Sequence, residues 1–298
     1  MSASTEERLT ADGQLEFFAR SGFSVHRHAQ TRWYEAGPRF LLAVPTHRPI
    51  EIAHDEAVAI LRSSGALGLR YVSAGRCGRE SWRMVLDDPE YALEKLSGNT
   101  RSKIRRGLKH NDIRRVSGAD LKKFGEQAFL DTVARQGRSN RYGIDRWHRL
   151  LDAADRTPGI EIWSAWHEDR LAAYLLIMLF EDACEFYEAR SRNDCLRLYP
   201  NNALIYHLAH SLLSRRIVPR ITFGIEGLEE LDTLDQFKLT MGFHKEPIRQ
   251  AVRFRPGLHA VLTRPPGRQV VSVLAERSGS SLWHRVESLV RLAEHVQG

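Results

Sequence analysis

Three apolar runs between Ile160 and Ser191 constrain this chain more than any other feature. IEIWSAW, LAAYLLIMLF and ACEFYEARS are strand-length, and each carries aliphatic and aromatic residues. The connectors between them, HEDR and ED, are hairpin-length, so the three runs predict an antiparallel meander. The central run is too short for the roughly 20 apolar residues of a membrane-spanning helix.

The flanks of the meander fix its context. Upstream, Asp120 opens a helix that runs through Val133, the loop RQGRSNRYG follows, and Asp145 opens a second helix. Trp147, Leu150, Leu151 and Ala154 fit one face of that second helix. Downstream, a long helix spans about Ala203–Arg216, and IVPRITFG reads as a strand. LDQFKLTMG is then a helix, with Thr233 as N-cap, Gln236 completing a capping box and Gly242 as the stop. Leu234, Phe237 and Met241 share one face of this helix, and Lys238 falls at its margin. A marginal lysine either runs its stem out to water or points its amine into a cleft. IRQAVRFRP is a last strand. The order is two helices, a meander, helix, strand, helix, strand.

The N-terminal half reads similarly but less clearly. Residues 1–13 are polar and predict a frayed tail. LEFFARSG is a short helix ending at Gly22, and TRWYEAGPRFLLAVP makes two strands around Gly37-Pro38. A helix from about Asp55 stops at Gly65, and LRYVSAG and SWRMVLD are two further strands. A helix is predicted over Asp88–His110, with Leu93, Leu96, Thr100, Ile104 and Leu108 as its stripe. Arg101, Arg105 and Lys109 recur four apart on another face, either as a solvated surface or as phosphate contacts. IRRVS is a strand that leads into the second half. RPPGRQ reads as a linker, and SLWHRVESLVRLAEHV as an amphipathic helix that packs on the domain.

Several function classes are excluded by what the sequence lacks. It has no Walker-type loop, dinucleotide fingerprint, nucleophile elbow or HExxH helix. His207 and His210 sit three apart on the long helix, but they have no third ligand, so no metal is expected. Three scattered cysteines give no disulfide framework. With the polar N-terminus and no apolar run of spanning length, these features predict a cytoplasmic protein without a membrane span. The formal charge of +7 permits an anionic partner such as tRNA, a nucleotide-linked substrate or CoA.

RSKIRRGLKHN, the Tyr199–Pro200 entry to the long helix, the ITFG strand end and LDQFKLTMGF together resemble the Fem-type peptidyltransferases and their GNAT-like acyltransferase relatives. The resemblance covers roughly residues 90–245. It implies an α/β (α+β) fold of two GNAT-like units in tandem, with a mixed sheet and an antiparallel meander. A degraded first unit with the basic helix would span 14–116 and a catalytic second unit 117–262. A loop and C-terminal helix would occupy 263–298. The glycine loop by which GNAT enzymes hold acetyl-CoA is missing: its place holds RLYPNNALIY. Asn201 and Asn202 there present a helix start to an anion, without the close backbone approach that glycines allow. Fem-type relatives also lack that loop and take the acyl group from aminoacyl-tRNA. The coiled-coil arm of the Fem type has no counterpart here, since no long heptad segment exists.

The expected function is N-acyl or aminoacyl transfer from aminoacyl-tRNA or an acyl thioester, with no tightly bound cofactor. The acceptor is a small-molecule or peptide amine, such as a cell-wall precursor or a biosynthetic intermediate. The resemblance places Lys238 at the donor end as a fixed positive charge. Glu188 and Arg190, two apart on the third meander strand, face one side, as cleft residues or as a structural ion pair. Arg138, Asn140 and Tyr142 lie in the loop where GNAT-like folds hold the acceptor. Donor binding falls to Asn201, Asn202, Arg101, Arg105 and Lys109. The alternative is a non-catalytic module that binds nucleic acid or a nucleotide-linked ligand, with its cleft plugged by side chains.

Overall fold

The computed structural model describes residues 7–136, 143–225, 232–262, 264–278 and 281–293. The first elements are α1 (Ala11–Arg20), β1 (Val25–His28), β2 (Thr31–Gly37), β3 (Phe40–Val44), α2 (His54–Ser64), β4 (Gly68–Val72) and β5 (Arg79–Leu86). Next come α3 (Gly98–His110), β6 (Asp112–Val116), α4 (Gly118–Phe124), α5 (Glu126–Gln136) and α6 (Ile144–Asp155). The meander is β7 (Ile160–His167), β8 (Arg170–Leu179) and β9 (Cys184–Ser191), followed by α7 (Pro200–Ser214) and β10 (Ile221–Ile225). The chain continues with α8 (Asp232–Thr240), β11 (His244–Phe254), α9 (Pro256–Leu262), α10 (Pro265–Ser278) and α11 (Ser281–Ala293).

The chain divides into two compact units. The larger is built from the chain up to Gly22, Met84–Gly224 and Asp232–Lys245. Its strands run in the order β6-β7-β8-β9-β10. The first four pair antiparallel, and β10 joins β9 in parallel. β8 is buried from Leu171 to Leu179, as expected of a central strand covered on both faces. Trp147, Leu150, Leu151 and Ala154 of α6 are buried, matching the periodicity. α7 buries Ala203, Leu204, Leu208 and Leu212. α3 packs closely on α7 because residue 107 is glycine. A Cβ there would lie 2.6 Å from the Tyr199 carbonyl oxygen and 2.9 Å from the Ala203 Cβ.

The smaller unit comprises Phe23–Arg83 and the described chain from Glu246 onward. Its strands run β1-β2-β3-β4-β11. β1, β2 and β3 form an antiparallel meander, β4 joins β3 in parallel, and β11 runs antiparallel to β4. Trp33, Leu41, Ile60, Leu61, Leu69 and Tyr71 form its core. Leu289, Val290 and Ala293 of α11 pack with Val252 and Phe254 of β11, the packing role expected of that helix. Each unit therefore repeats one path: meander, helix, then a strand parallel to the last meander strand. The tandem GNAT-like fold lies in this topology, although the two halves share no residue-level repeat.

Several boundaries differ from the sequence reading. The N-terminal tail is shorter than residues 1–13. Thr10 accepts a hydrogen bond from the Gly13 amide and caps α1, and the Leu9 amide donates to the Leu179 carbonyl at 2.7 Å. The helix expected over Asp88–His110 begins at Gly98, because Ser97 caps it and Leu93–Lys95 make only a single 3-10 turn. Ser117, and not Asp120, is the N-cap of α4, and Asp120 completes its capping box. Gly143 precedes α6 where Asp145 was expected to cap it. The supposed linker RPPGRQ opens α10, which Pro at the first helical position permits. The division 14–116 and 117–262 is also displaced. β6 pairs with β7 and α3 packs on α7, so the basic helix belongs to the larger unit, while β11 belongs mostly to the smaller.

Candidate functional site

β9 and β10 pair only at Cys184↔Ile221 and Glu185↔Thr222. Among the described residues no pairing continues beyond them, although β9 runs on to Ser191. Two parallel strands that separate in this way form a fork between β9 and β10. Among the sequence-predicted residues, the larger unit places Glu188, Arg190, Lys238, Asn201 and Asn202 around this fork.

Glu188 and Arg190 lie on β9 beyond the last paired residue, and they do face the same side. The register of β8 and β9 slips at Tyr187: Ile177 pairs with Phe186, but the adjacent Leu176 pairs with Glu188. Such a bulge re-aims the strand, so Glu188 points to the opposite face from Phe186. Glu188 is 8% exposed. Its Oε1 accepts a hydrogen bond from Tyr174 Oη at 2.8 Å, and its Oε2 accepts one from Arg190 Nη2 at 3.2 Å. Trp147 Nε1 donates to Tyr174 Oη at 2.9 Å. The Arg190 guanidinium also stands 5.5 Å from the centre of the Phe129 ring on α5. Burial, together with the nearby Glu188 charge, pushes the Tyr174 phenol well above its ordinary value.

Lys238 approaches the fork from the other side of β9. Its amine lies 5.6 Å from the centre of the Phe223 ring and donates to Asp235 at 3.2 Å. Phe223 contacts Phe186 and Phe243 with ring centroids 5.3 and 4.9 Å apart, so an aromatic cluster floors this side. The Lys238 side chain is 14% exposed, so it does not run out to water. Of the expected apolar face of α8, Met241 is buried but Leu234 is exposed.

The start of α7 sits beside both sets. Tyr199 is left-handed (φ 52°, ψ 45°), Pro200 holds the first helical position, and no side chain caps the helix. Asn201 Nδ2 donates to Ser191 Oγ, next in sequence to Arg190, and Arg135 Nη2 on α5 donates to the same hydroxyl. Asn202 contacts Met241 Sδ at the end of the Lys238 helix. The predicted basic trio separates. Arg105 and Lys109 are exposed, whereas Arg101 donates to the Leu96 carbonyl at 3.1 Å and braces the turn before α3. The α3 cations nearest the start of α7 are Lys103 and Arg106, 5.9 and 5.7 Å from the Tyr199 ring centre. Arg138, Asn140 and Tyr142 lie outside the described residues.

Sequence reasoning missed Trp147 and Tyr174 as polar groups, since both read as core residues on their elements. The only available signal was the presence of indole and phenol donors in otherwise aliphatic stretches, because such groups need a partner when buried. Arg135 was missed because it sits at the edge of a loop. Free Cys184 is buried, and burial pushes its thiol well above the usual range, which disfavours the thiolate. Among the described residues no cluster of three or more His, Cys, Asp or Glu could hold a metal, and no helix is long and apolar enough to cross a membrane.

The equivalent fork of the smaller unit is closed by its own chain. β3 and β4 pair from Phe40↔Gly68 to Leu42↔Arg70. The segment after β3 then turns back beside the end of β4. The Ile50 amide donates to the Val72 carbonyl, and the Ala74 amide donates to the Ile50 carbonyl, both at 2.9 Å. Arg83, buried and paired with Glu246, donates to the His47 carbonyl and pins that segment.

Residues 94–238 match the family described as acetyltransferase (GNAT) domain. No curated protein matches the sequence. Among solved structures the chain is similar to FemX, at 12% identity and a TM-score of 0.59, covering 84% of this chain and 93% of that one. It is also similar to the C-terminal domain of a putative lysylphosphatidylglycerol synthetase from Agrobacterium fabrum. There the identity is 15% and the TM-score 0.57, over 90% of this chain and 93% of that one. L-PGS from Bacillus licheniformis gives 11% identity and a TM-score of 0.54, over 92% and 98%. The fold is thus the GNAT-like fold that FemX shares, and the resemblance first carried by four short stretches extends over most of the chain.

Proposed function

We propose that the chain is an N-acyl or aminoacyl transferase acting at the β9–β10 fork of the larger unit. The observation that carries this reading is the early parting of two parallel strands between Lys238 and the Glu188–Arg190 pair. An amine on the acceptor attacks the carbonyl carbon of an activated ester or thioester. The C–N bond forms, the C–O or C–S bond breaks, and one amine proton ends on the leaving group. The protein need only align the two substrates, offer a path for that proton and supply positive charge near the developing oxyanion. Lys238 provides the charge on the Phe223 side, and Glu188 and Arg190 face the acceptor on the other. The resemblance alone assigns Arg138, Asn140 and Tyr142 to the acceptor.

The donor is aminoacyl-tRNA or an acyl thioester. The uncapped start of α7, with Asn201 and Asn202, suits an anionic group, and Lys103, Arg105, Arg106 and Lys109 supply cations on the neighbouring helix. The acceptor is an amine on a small molecule or peptide, in the class of cell-wall precursors and biosynthetic intermediates. The fork of the smaller unit is filled by the Ile50 segment, so the transfer is assigned to the larger unit. The test is a donor screen. The purified chain is incubated separately with mixed aminoacyl-tRNA and with a panel of acyl-CoA thioesters, each with a pool of amines, and the acylated products are identified by mass spectrometry. A new amide formed with one donor class supports the reading and names the donor. No amide from either class refutes it.

A further inference from the structure

Four side chains, Trp147, Tyr174, Glu188 and Arg190, form a hydrogen-bonded chain whose direction is fixed by chemistry. An indole N–H can only donate. Trp147 therefore fills an acceptor position on the Tyr174 oxygen, and the Tyr174 proton is turned toward Glu188 Oε1. Arg190 donates to Oε2 from the other side. Trp147 and Tyr174 are 0% and 1% exposed, so water does not compete for these bonds. Hydrogen bonds made to a carboxylate favour its ionised form, and burial opposes it. A buried ion pair is seldom kept for stability alone, since well-packed apolar residues of the same volume serve as well or better. Here the pair sits past the bulge at Tyr187, which turns Glu188 away from the Phe186 cluster, and beyond the last rung of the β9–β10 ladder.

We infer that Tyr174 and Trp147 are positioning residues for acyl transfer: they hold the Glu188 carboxylate ionised and oriented, so that it takes the proton of the attacking amine. This rests on the acyl-transfer reading above. As the amine nitrogen bonds to the acyl carbon, its proton passes to a Glu188 oxygen. When the C–O or C–S bond breaks, that proton is delivered to the departing oxygen or sulfur, and the carboxylate is restored. No oxidant or further reactant is needed. Among the described residues, the charged and titratable groups that bear on Glu188 include Tyr174 on β8, Arg190 on β9, Arg135 on α5, whose guanidinium feels that of Arg190, and His148 on α6 against the Trp147 ring. The raised phenol of Tyr174 keeps it a donor through neutral pH.

Two readouts test this on the full chain. The first is carboxyl titration by NMR with carbon-13 glutamate, the Glu188 signal being assigned by its loss in Glu188→Gln. Tyr174→Phe removes one donor, so the Glu188 midpoint should move to higher pH. The second is the pH profile of transfer, with the donor and amine found in the screen. Tyr174→Phe should move the acid limb the same way and lower the plateau rate about tenfold, and Glu188→Gln should lower it about a hundredfold or more. Should Tyr174→Phe fail to fold, Trp147→Phe frees the phenol to rotate and should give a smaller shift of the same sign. A wild type that transfers, with variants that leave both titration and profile in place, overturns the inference alone. A wild type that transfers nothing from any donor overturns the acyl-transfer reading and the inference with it.

Discussion

Gly107→Ala tests whether α3 is set against the start of α7 by close backbone approach. An alanine in a helix interior is favoured over glycine by about 1 kcal/mol, so propensity alone predicts stabilisation. The structure predicts the reverse. The new Cβ would lie 2.6 Å from the Tyr199 carbonyl oxygen, roughly 1 Å inside the ~3.5 Å at which non-bonded heavy atoms rest. The obstacle is backbone, and Tyr199 already stands at φ 52°, so the strain is not relieved by a rotamer change. One of the two helices must move. Asn111 Nδ2, which donates to the Gly107 carbonyl at 2.7 Å and the Leu198 carbonyl at 3.1 Å, would lose one of these bonds. Overpacking against a backbone obstacle costs about 2–3 kcal/mol, the upper part of the usual range, and the ~1 kcal/mol propensity gain offsets part of it. The net expectation is a loss of about 1–2 kcal/mol, a fall in Tm of about 2–8 °C for a unit of this size. Gly257→Ala in α9 is the control, since nothing lies within 4 Å of the added methyl, and it should melt at or above wild type. Thermal melting by circular dichroism reads both. A Gly107→Ala variant as stable as the control would refute the close approach of α3 and α7.

Replacing Arg105 and Lys109 together by glutamine should weaken binding of a single-stranded RNA oligonucleotide, and it should flatten the salt dependence by about 1 for each phosphate no longer neutralised. An unchanged slope by fluorescence anisotropy would assign both to the solvated surface. Arg101→Gln is expected to lower the Tm instead, because Arg101 braces the Leu96 carbonyl. Asp194 accepts from Arg192 Nε and Nη2 at 3.0 and 2.9 Å, and those bonds first, with the Arg192 and Arg170 charges, depress its carboxyl far below the ordinary 3.8. A depressed carboxylate contributes stability that is present above the unfolded value and lost as pH falls below it. The stability difference between wild type and Asp194→Asn should therefore shrink as pH drops from 5 to about 2 in urea titrations. A difference that holds constant over that range would contradict the assignment.

The strands and helices of the larger unit were legible because their burial follows simple periods. The meander strands are short apolar runs joined by hairpins, the central one buried on both faces, and α6 buries the four residues its pattern names. Helix starts were less legible. Ser117 and Asp120 compete for the cap of α4, and only the geometry shows that Ser117 takes it while Asp120 reaches back. The break at Ser97 was hidden because the Leu93–Leu108 stripe continues through it at helical spacing. Strand partners were legible only within the meander, where short hairpins join neighbours. β11 follows the second half in sequence yet pairs with β4, and no local pattern encodes that long-range choice. At the candidate site, the i, i+2 spacing placed Glu188 and Arg190 together. It could not reveal the bulge at Tyr187, which decides the face they occupy, or the buried donors that hold them.

The central claim is that acyl transfer occurs at the β9–β10 fork with Lys238 at its donor end. The most direct test is single-turnover transfer with saturating donor, the donor being the one named by the screen. Wild type is compared with Lys238→Met and Lys238→Arg, and melting is the folding control. Methionine keeps the stem packing over Phe223 and removes the charge, which should cost on the order of a hundredfold or more in rate if the amine faces developing negative charge. Arginine keeps the charge with a different shape and should retain part of the activity. The account predicts a nearly inactive methionine variant, a partly active arginine variant, and melting close to wild type for both. A methionine variant with the full wild-type rate would contradict it.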